Sequence, residues 1–385
     1  MTIATTAENT GAHAPVARRS DWLFLSTALA AATLLVALVL IDGQPASAAL
    51  VVLGFALGIA FFKAEFSFTA AWRRFIAGGE AGGLIGAFLL IAVAAIVIVP
   101  LAALVPNFGG AIAPLGPSLV IGAFVFGIGM QLANACGSGT LYTAGSGTGR
   151  MLIALAFFIV GSVIGSLHLP AFLALGGVDP IIAARYLGPW GGLAATLASL
   201  AAAAAIVAAV ARRRGVSFIP SRPILVGAIA IGVLSIGVFV FGGHPWSVTF
   251  GFTVWGGKMA SALGLDLASQ PFWQWPGPRR ALTDSVLTDT SSLTDLGMIF
   301  GAMAAAAAVR PFARADWPPL PSLIAAALGG LLMGWGARLG FGCNIGAFVG
   351  GVASGSLHGW VWFAAALAGC AVGIRLRPWF GLSRE

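Results

Sequence analysis

Charged side chains are scarce in this chain, and their scarcity excludes a water-soluble fold. Asp, Glu, Lys and Arg make up 8% of the 385 residues, whereas a soluble domain carries about a quarter. Apolar residues account for 59% of the sequence, and many runs suffice to cross a bilayer core of about 30 Å as helices of roughly 20 residues. The composition therefore predicts an all-α integral membrane protein, with the lipid bilayer as its surroundings.

Cysteine is scarce as well, which excludes other classes of protein. The 3 cysteines are too few for a disulfide scaffold, and none has the CxxC or Cys/His spacing of a metal site. No hydrolase, kinase or redox signature is present, and the glycine-rich stretch 145–149 lacks the lysine and preceding strand of a nucleotide site. We therefore expect no enzyme, cofactor or metal. The net charge of +8 does not indicate nucleic acid, because the basic residues lie at the ends of apolar runs.

About ten membrane helices are predicted from the lengths of the apolar runs. They lie near residues 22–41, 48–62, 81–105, 115–132, 150–168, 188–211, 223–242, 295–309, 320–336 and 358–374. Arg18, Arg19 and the small residues at 46–48 resemble the flanks of a signal peptide, but the run 22–41 is longer than a signal core. We therefore expect the first helix to be retained.

Arginines are more numerous in the loops assigned to one side of the membrane than in those assigned to the other. This bias predicts that both termini are cytoplasmic. Loops assigned to the inside carry Arg73, Arg74, Arg150, Arg212, Arg213, Arg214, Arg310, Arg314 and the tail residues Arg375, Arg377 and Arg384. Loops assigned to the outside carry Asp42, Asp284, Asp289, Asp295, Arg185, Arg279 and Arg280. The expected location is the inner membrane of a bacterium.

Two segments of the chain repeat each other. Residues 127–139 (GIGMQLANACGSG) match residues 334–346 (GWGARLGFGCNIG) at an offset of 207, and the match continues at 208, pairing Gly161 with Gly369. A weaker echo links 66–72 to 250–255. An odd number of crossings separates the two copies, which predicts inverted-topology repeats around a shared site near the midplane.

The repeats suggest a division of the chain into segments. The predicted segments are a cytoplasmic tail (1–21), an extra first helix (22–47), a first inverted repeat (48–168), a linking helix (188–211) and a second inverted repeat (223–380).

Matched cysteines mark the candidate site. Cys136 and Cys343 lie in glycine-rich polar stretches, and such backbone survives at membrane depth only in a cavity or inside protein. We predict re-entrant loops with a half-helix after each cysteine, whose N–H groups and thiols would bind an anion. Two alternatives are that these cysteines pack a tight turn or form a disulfide. The neighbouring candidates are Gly137, Ser138, Thr140 and Asn344.

Three ionisable residues are further candidates, because such residues in apolar surroundings are commonly functional. They are His244, Lys258 and Arg338. Lys258 has the alternative of reaching the membrane interface, and His244 that of capping a helix end before Pro245. Arg338 would attract an anion. Cys370, inside the last apolar run, is expected to pack the core.

The sequence resembles the YeeE/YedE family of sulfur transport permeases over roughly residues 48–380. The matching stretches are GMQLANACGSGTLY (129–142), GHPW (243–246), MGWGARLGFGCNIGAF (333–348) and SGSLHGW (354–360). The resemblance implies uptake of thiosulfate through an inverted-repeat fold, with Cys136 and Cys343 relaying the anion by S–H contacts. It also implies a third pore cysteine before the eighth helix, where residues 289–292 (DTSS) have none. Another sulfur or selenium oxyanion, or a persulfide, therefore stays open as the substrate.

Energetics suggest a partner. A dianion entering against a membrane potential needs either cotransported cations or rapid consumption inside. Because Glu65 and Glu80 are the only glutamates between Glu8 and the tail, we expect consumption by a cytoplasmic sulfurtransferase at the inner mouth near Cys136. Rival interpretations are an ion channel and a membrane sulfur-transfer or redox module in which the same thiols react covalently.

Overall fold

The computed structural model describes residues 21–309 and 317–384, and the regular structure in these two ranges is helical. The helices are α1 (Trp22–Ile41), α2 (Pro45–Ala64), α3 (Phe68–Gly78), α4 (Gly82–Leu104), α5 (Pro117–Ala133), α6 (Gly137–Gly145), α7 (Gly149–Leu173), α8 (Ala183–Arg213), α9 (Arg222–Gly242), α10 (Val248–Ala262), α11 (Pro271–Gln274), α12 (Pro276–Thr283), α13 (Thr290–Val309), α14 (Leu320–Leu339), a π-helix (Asn344–Val349), α15 (Gly350–Ala353) and α16 (Leu357–Leu376), with 3-10 turns at Val286–Thr288 and Arg377–Phe380.

Across the described ranges, 10 helices or broken helices are long and apolar enough to cross a membrane. Each of them overlaps one of the apolar runs found in the sequence, so the prediction of an all-α integral membrane protein is confirmed. The predicted cytoplasmic tail, with Arg18 and Arg19, lies outside the described residues, as do Arg310 and Arg314.

Two of the spans are broken at a cysteine. Asn134 follows α5 with a left-handed φ of 64°, and α6 begins just after Cys136. Phe341 takes the same conformation after α14, with φ 61°, and the π-helix begins just after Cys343. Residues 135–139 and 342–346 around the two cysteines are buried in protein, which is where irregular backbone is tolerated at membrane depth. The predicted half-helix after each cysteine is therefore present.

Glycines let the helices that carry these breaks pack backbone against backbone. A Cβ atom at Gly127 of α5 would lie 2.1 Å from the carbonyl oxygen of Ala366 in α16. A Cβ atom at Gly334 of α14 would lie 2.1 Å from that of Phe158 in α7. Membrane helices associate through such small residues because lipid supplies no hydrophobic driving force between helices.

These contacts recur at sequence-matched positions. Gly127 and Gly334 are related by the offset of 207, and the carbonyls that they meet are related by 208. A second pair follows the same rule: a Cβ atom at Gly161 would lie 2.2 Å from the Leu331 carbonyl oxygen, and one at Gly369 would lie 2.0 Å from that of Phe124. The two repeats therefore make equivalent contacts with each other. Helix α5 of the first repeat packs against α16 of the second, and α14 of the second packs against α7 of the first.

Several helix boundaries differ from those predicted, and one of them bears on the candidate site. The eighth membrane helix, α13, begins at Thr290 and not at 295. Asp289 precedes the helix and its Oδ2 accepts the N–H of Ser292 at 2.7 Å, as an N-cap does. As a result Asp295, which had been assigned to an outer loop, is fully buried inside α13.

Candidate functional site

The Cys136 thiol lies at the N-terminus of a half-helix. Its backbone is extended, and its Sγ accepts a hydrogen bond from the Gly139 N–H at 3.3 Å and lies 3.5 Å from the Ser138 hydroxyl oxygen. The side chain is buried. The first N–H groups of a helix and its positive dipole end favour negative charge, so this end of α6 is suited to an anion.

The Cys343 thiol occupies the equivalent place in the second copy and reaches the first. It precedes the π-helix and is completely buried. A Cβ atom at Gly137 would lie only 3.0 Å from Cys343 Sγ and 3.3 Å from the Thr249 methyl carbon. Glycine at 137 therefore lets the two cysteine breaks meet. Cys136, Cys343 and Cys370 are all free thiols, so the disulfide alternative is not the form that the structure shows.

Several buried polar atoms around the thiols have no hydrogen-bond partner. They are Thr140 Oγ1, Thr249 Oγ1 and both amide atoms of Asn344. Each of these side chains is 0% exposed. An unpaired buried polar group costs about 1–3 kcal/mol, and most are paired in native proteins. A polar ligand between the two breaks would satisfy these atoms.

Arg338 brings positive charge close to this region. It lies in the last turn of α14 and is 7% exposed. Its Nε has no hydrogen-bond partner, and its guanidinium carbon is 5.8 Å from the centre of the Phe250 ring. Arg338 lies five residues before Cys343 in the chain. An arginine buried without a carboxylate partner can pair with an anionic ligand.

His244 and Lys258 are placed elsewhere. The His244 side chain is exposed, and its Nδ1 lies 2.8 Å from the carbonyl oxygen of Pro245. The Lys258 ammonium donates hydrogen bonds to the carbonyl oxygens of Leu282 at 3.0 Å and Asp284 at 2.5 Å. Lys258 thereby holds the segment before α13 against α10, and neither side chain contacts the cysteines through a described hydrogen bond.

Arginines form a cluster behind the Cys136 break that the sequence analysis had used for orientation alone. Arg73 donates to Asn134 Oδ1 at 2.7 Å, and Arg377 donates to the Gln131 carbonyl at 2.6 Å. Arg150 donates to the Leu132 and Ala133 carbonyls, at the negative end of the α5 dipole. Arg150, which had been assigned to an inner loop, is thus buried within the protein.

Asp295 and Trp246 are the functional candidates that the sequence analysis missed. Trp246 Nε1 donates to Asp295 Oδ1 at 3.1 Å, and α10 links Asp295 to the breaks, because Thr249 faces Gly137 and Gly251 faces Asp295. The signal that could have found Asp295 is the N-cap pattern of Asp289 and Ser292, which places the start of the helix before it. Within the described ranges, no group of three or more His, Cys, Asp or Glu residues could hold a metal ion.

The model of a protein family described as Sulphur transport matches residues 63–372, most of the chain. The chain belongs to the sulphur transport family. The probable transporter YedE of Escherichia coli is 34% identical over 153 residues, which cover 40% of this chain and 35% of YedE. The thiosulfate transporter TsuA of Spirochaeta thermophila is 29% identical over 265 residues, which cover 63% of this chain and 72% of TsuA. The match to this chain therefore spans about a third of YedE.

This member of the sulphur transport family has two cysteines at the site. Cys370, in α16, is completely buried and lies 3.4 Å from the Gly127 carbonyl oxygen, as core packing predicts. Where a third pore cysteine was implied, α13 has the buried residues Ser291 and Ser292, and the Ser292 hydroxyl accepts the indole N–H of Trp255 at 2.9 Å. This segment therefore presents a hydroxyl that is hydrogen-bonded to an indole, and it has no thiol.

Proposed function

We propose that this protein is a permease that carries thiosulfate, or a closely related small sulfur-containing anion, past Cys136 and Cys343. The observation that supports it is the presence of two free thiols at helix N-termini, in two breaks that meet at Gly137, next to buried polar atoms without partners. Thiols are soft, polarizable and weakly hydrogen-bonding, which suits a sulfur anion better than a hard cation. Membership of the sulphur transport family and similarity to TsuA support the same proposal.

Transport requires that the anion can reach the two cysteines from both sides of the membrane. Inverted repeats with both termini in the cytoplasm would provide this, and the exchanged glycine contacts support them. The arginine cluster behind Cys136 and the nearby Arg338 would attract an anion towards the two breaks. The direct test is uptake of radiolabelled thiosulfate into proteoliposomes that contain this protein, compared with protein-free vesicles.

The first prediction concerns the sides of the membrane on which two loops lie. In a bacterial inner membrane, we expect Ser217→Cys, in the exposed segment between α8 and α9, to react with an impermeant maleimide only after the cells are opened. Gly277→Cys, in the exposed α12, should react in intact cells. The native cysteines are buried, so the unmodified protein serves as the background control. Labelling of both positions from the same side would contradict the inverted repeats.

The second prediction concerns the free energy needed for uptake of the anion. Moving two charges inward against about 100 mV costs roughly 4.6 kcal/mol, whereas each tenfold excess outside supplies about 1.4 kcal/mol. We therefore propose that a cytoplasmic sulfurtransferase consumes the anion at the inner mouth. Enclosing a sulfurtransferase and its acceptor thiol in the proteoliposomes should raise the accumulated sulfur by more than about tenfold, because the electrical work corresponds to about three factors of ten. Equal accumulation with an inactive sulfurtransferase would contradict the proposal.

A further inference from the structure

Asp295 is a buried carboxyl group in α13 that takes no part in the anion binding proposed above. It is 0% exposed. Its Oδ1 accepts the indole N–H of Trp246 at 3.1 Å, and its Oδ2 has no hydrogen-bond partner. Gly251 makes room for that oxygen, because a Cβ atom there would lie 2.7 Å from Oδ2. A carboxylate inside a membrane protein is costly without a cation to pair with it.

Among the residues that the structure describes, the helices around Asp295 bring no such cation to it. The helices α1, α2, α6 and α10 pack against α13. Their titratable residues, with the acid that precedes α13, are Lys63, Tyr142, Lys258 and Asp289. The Lys258 ammonium is bonded to the carbonyls of Leu282 and Asp284. In α2, Gly54 faces Thr294 and Gly58 faces Met298, so the two helices run parallel and Lys63 lies roughly 12 Å further along the helix.

The Trp246 indole N–H, which donates to Asp295 Oδ1, favours the ionised carboxylate. Complete burial opposes that ionisation, because a buried carboxylate loses its contact with water. A dianion arriving beside Cys343 would repel an ionised Asp295 further. The geometry therefore favours the neutral acid whenever an anion occupies the cysteine breaks.

We infer that Asp295 is a proton-binding site of the transport cycle, so that one proton enters with each anion. The Asp295 O–H bond forms with a proton from the outer side and breaks when that proton is released inside, while no bond of the anion changes. The inference rests on the proposed anion transport. One proton cancels half the charge of a dianion and so halves the electrical work of uptake. Consumption of the anion inside the cell then supplies the rest of the free energy for uptake.

The test is proton movement during thiosulfate uptake into proteoliposomes that enclose a pH-sensitive dye. For the unaltered protein we expect the lumen to acidify with each pulse of external thiosulfate. Asp295→Asn keeps the size of the side chain and an acceptor for Trp246, but it binds no proton. We expect it to lower the acidification per thiosulfate by about tenfold or more. Asp289→Asn is the matched control and should acidify normally, because asparagine preserves the helix cap.

The outcomes separate this inference from the proposed function. Thiosulfate uptake without acidification by the unaltered protein, or equal acidification by Asp295→Asn, overturns the inference and leaves the permease standing. Absence of thiosulfate uptake refutes the thiosulfate permease. In that case infrared spectra of the purified protein at neutral pH still test the site, through the C=O stretch of a protonated acid. We expect this band in the unaltered protein and its loss in Asp295→Asn, and the same spectrum in both proteins would overturn the inference.

Discussion

Cys136→Ala and Cys343→Ala are each expected to abolish thiosulfate-dependent growth of a bacterium that has no other route of sulfur uptake. Each change removes a thiol from the place where the two breaks meet, while alanine is small enough to leave the packing in place. A hydrogen bond to a charged partner is worth about 1.5–3 kcal/mol, so uptake should fall by at least roughly tenfold for each thiol. Growth and radiolabelled uptake, at equal protein levels, measure the effect.

Cys370→Ala is the matched control, because Cys370 is equally buried but packs against the Gly127 carbonyl. Its uptake should stay close to that of the unaltered protein. Near-normal growth of both break variants would refute a role for the thiols in binding. Intact-protein mass after exposure to thiosulfate separates the rival sulfur-transfer module, since a persulfide that accumulates and turns over on Cys136 or Cys343 would favour covalent chemistry over passage.

Gly127→Val and Gly334→Val are expected to prevent folding. Each glycine lies where a Cβ atom would be 2.1 Å from a backbone carbonyl oxygen of the neighbouring helix, and a backbone cannot move aside as a flexible side chain can. Overpacking of a core typically costs about 1–3 kcal/mol, and separation of two helices by a rigid clash should exceed this. We expect little or no monodisperse protein in detergent, as measured by size-exclusion chromatography.

The two glycine variants should fail to a similar degree, because they meet equivalent carbonyls in the two copies. Gly277→Val serves as the control, since a side chain at Gly277 would meet nothing within 4 Å, and it should give normal yield. Stable, monodisperse protein from either core variant would contradict the close approach of α5 to α16 or of α14 to α7.

The membrane helices and the positions of the cysteines could be predicted from the sequence because their signals are local. Long apolar runs identify spans, and a glycine-rich break next to Cys136 or Cys343 interrupts such a run in a recognisable way. The start of α13 was missed because its first turn, including Ser291 and Ser292, is polar but buried. Polarity of a segment then indicates contact with protein rather than exposure to water.

The partners of the charged residues could not be predicted, because they come from distant parts of the chain. Arg377 bonds the Gln131 carbonyl and Trp246 bonds Asp295, and no spacing rule joins such positions. Lys258 shows the reverse case: an ionisable residue in an apolar run suggested a site, whereas its ammonium is bonded to two backbone carbonyls. Ionisable residues at membrane depth therefore indicate a buried interaction, but the tertiary structure decides which one.

Arg150 makes the break at Cys136 structurally different from the break at Cys343. It clamps the last carbonyls of α5 and also donates to Ser322 Oγ of α14 at 2.9 Å. The position related to it by the offset of 208 is His358, whose Nδ1 lies 2.8 Å from Ser356 Oγ instead. The break at Cys136 is thus braced by Arg150, whereas no equivalent arginine bond to the end of α14 is found at the break at Cys343 within the described ranges. Rocking during a transport cycle should be concentrated at the Cys343 end, with the Cys136 end as the fixed pivot.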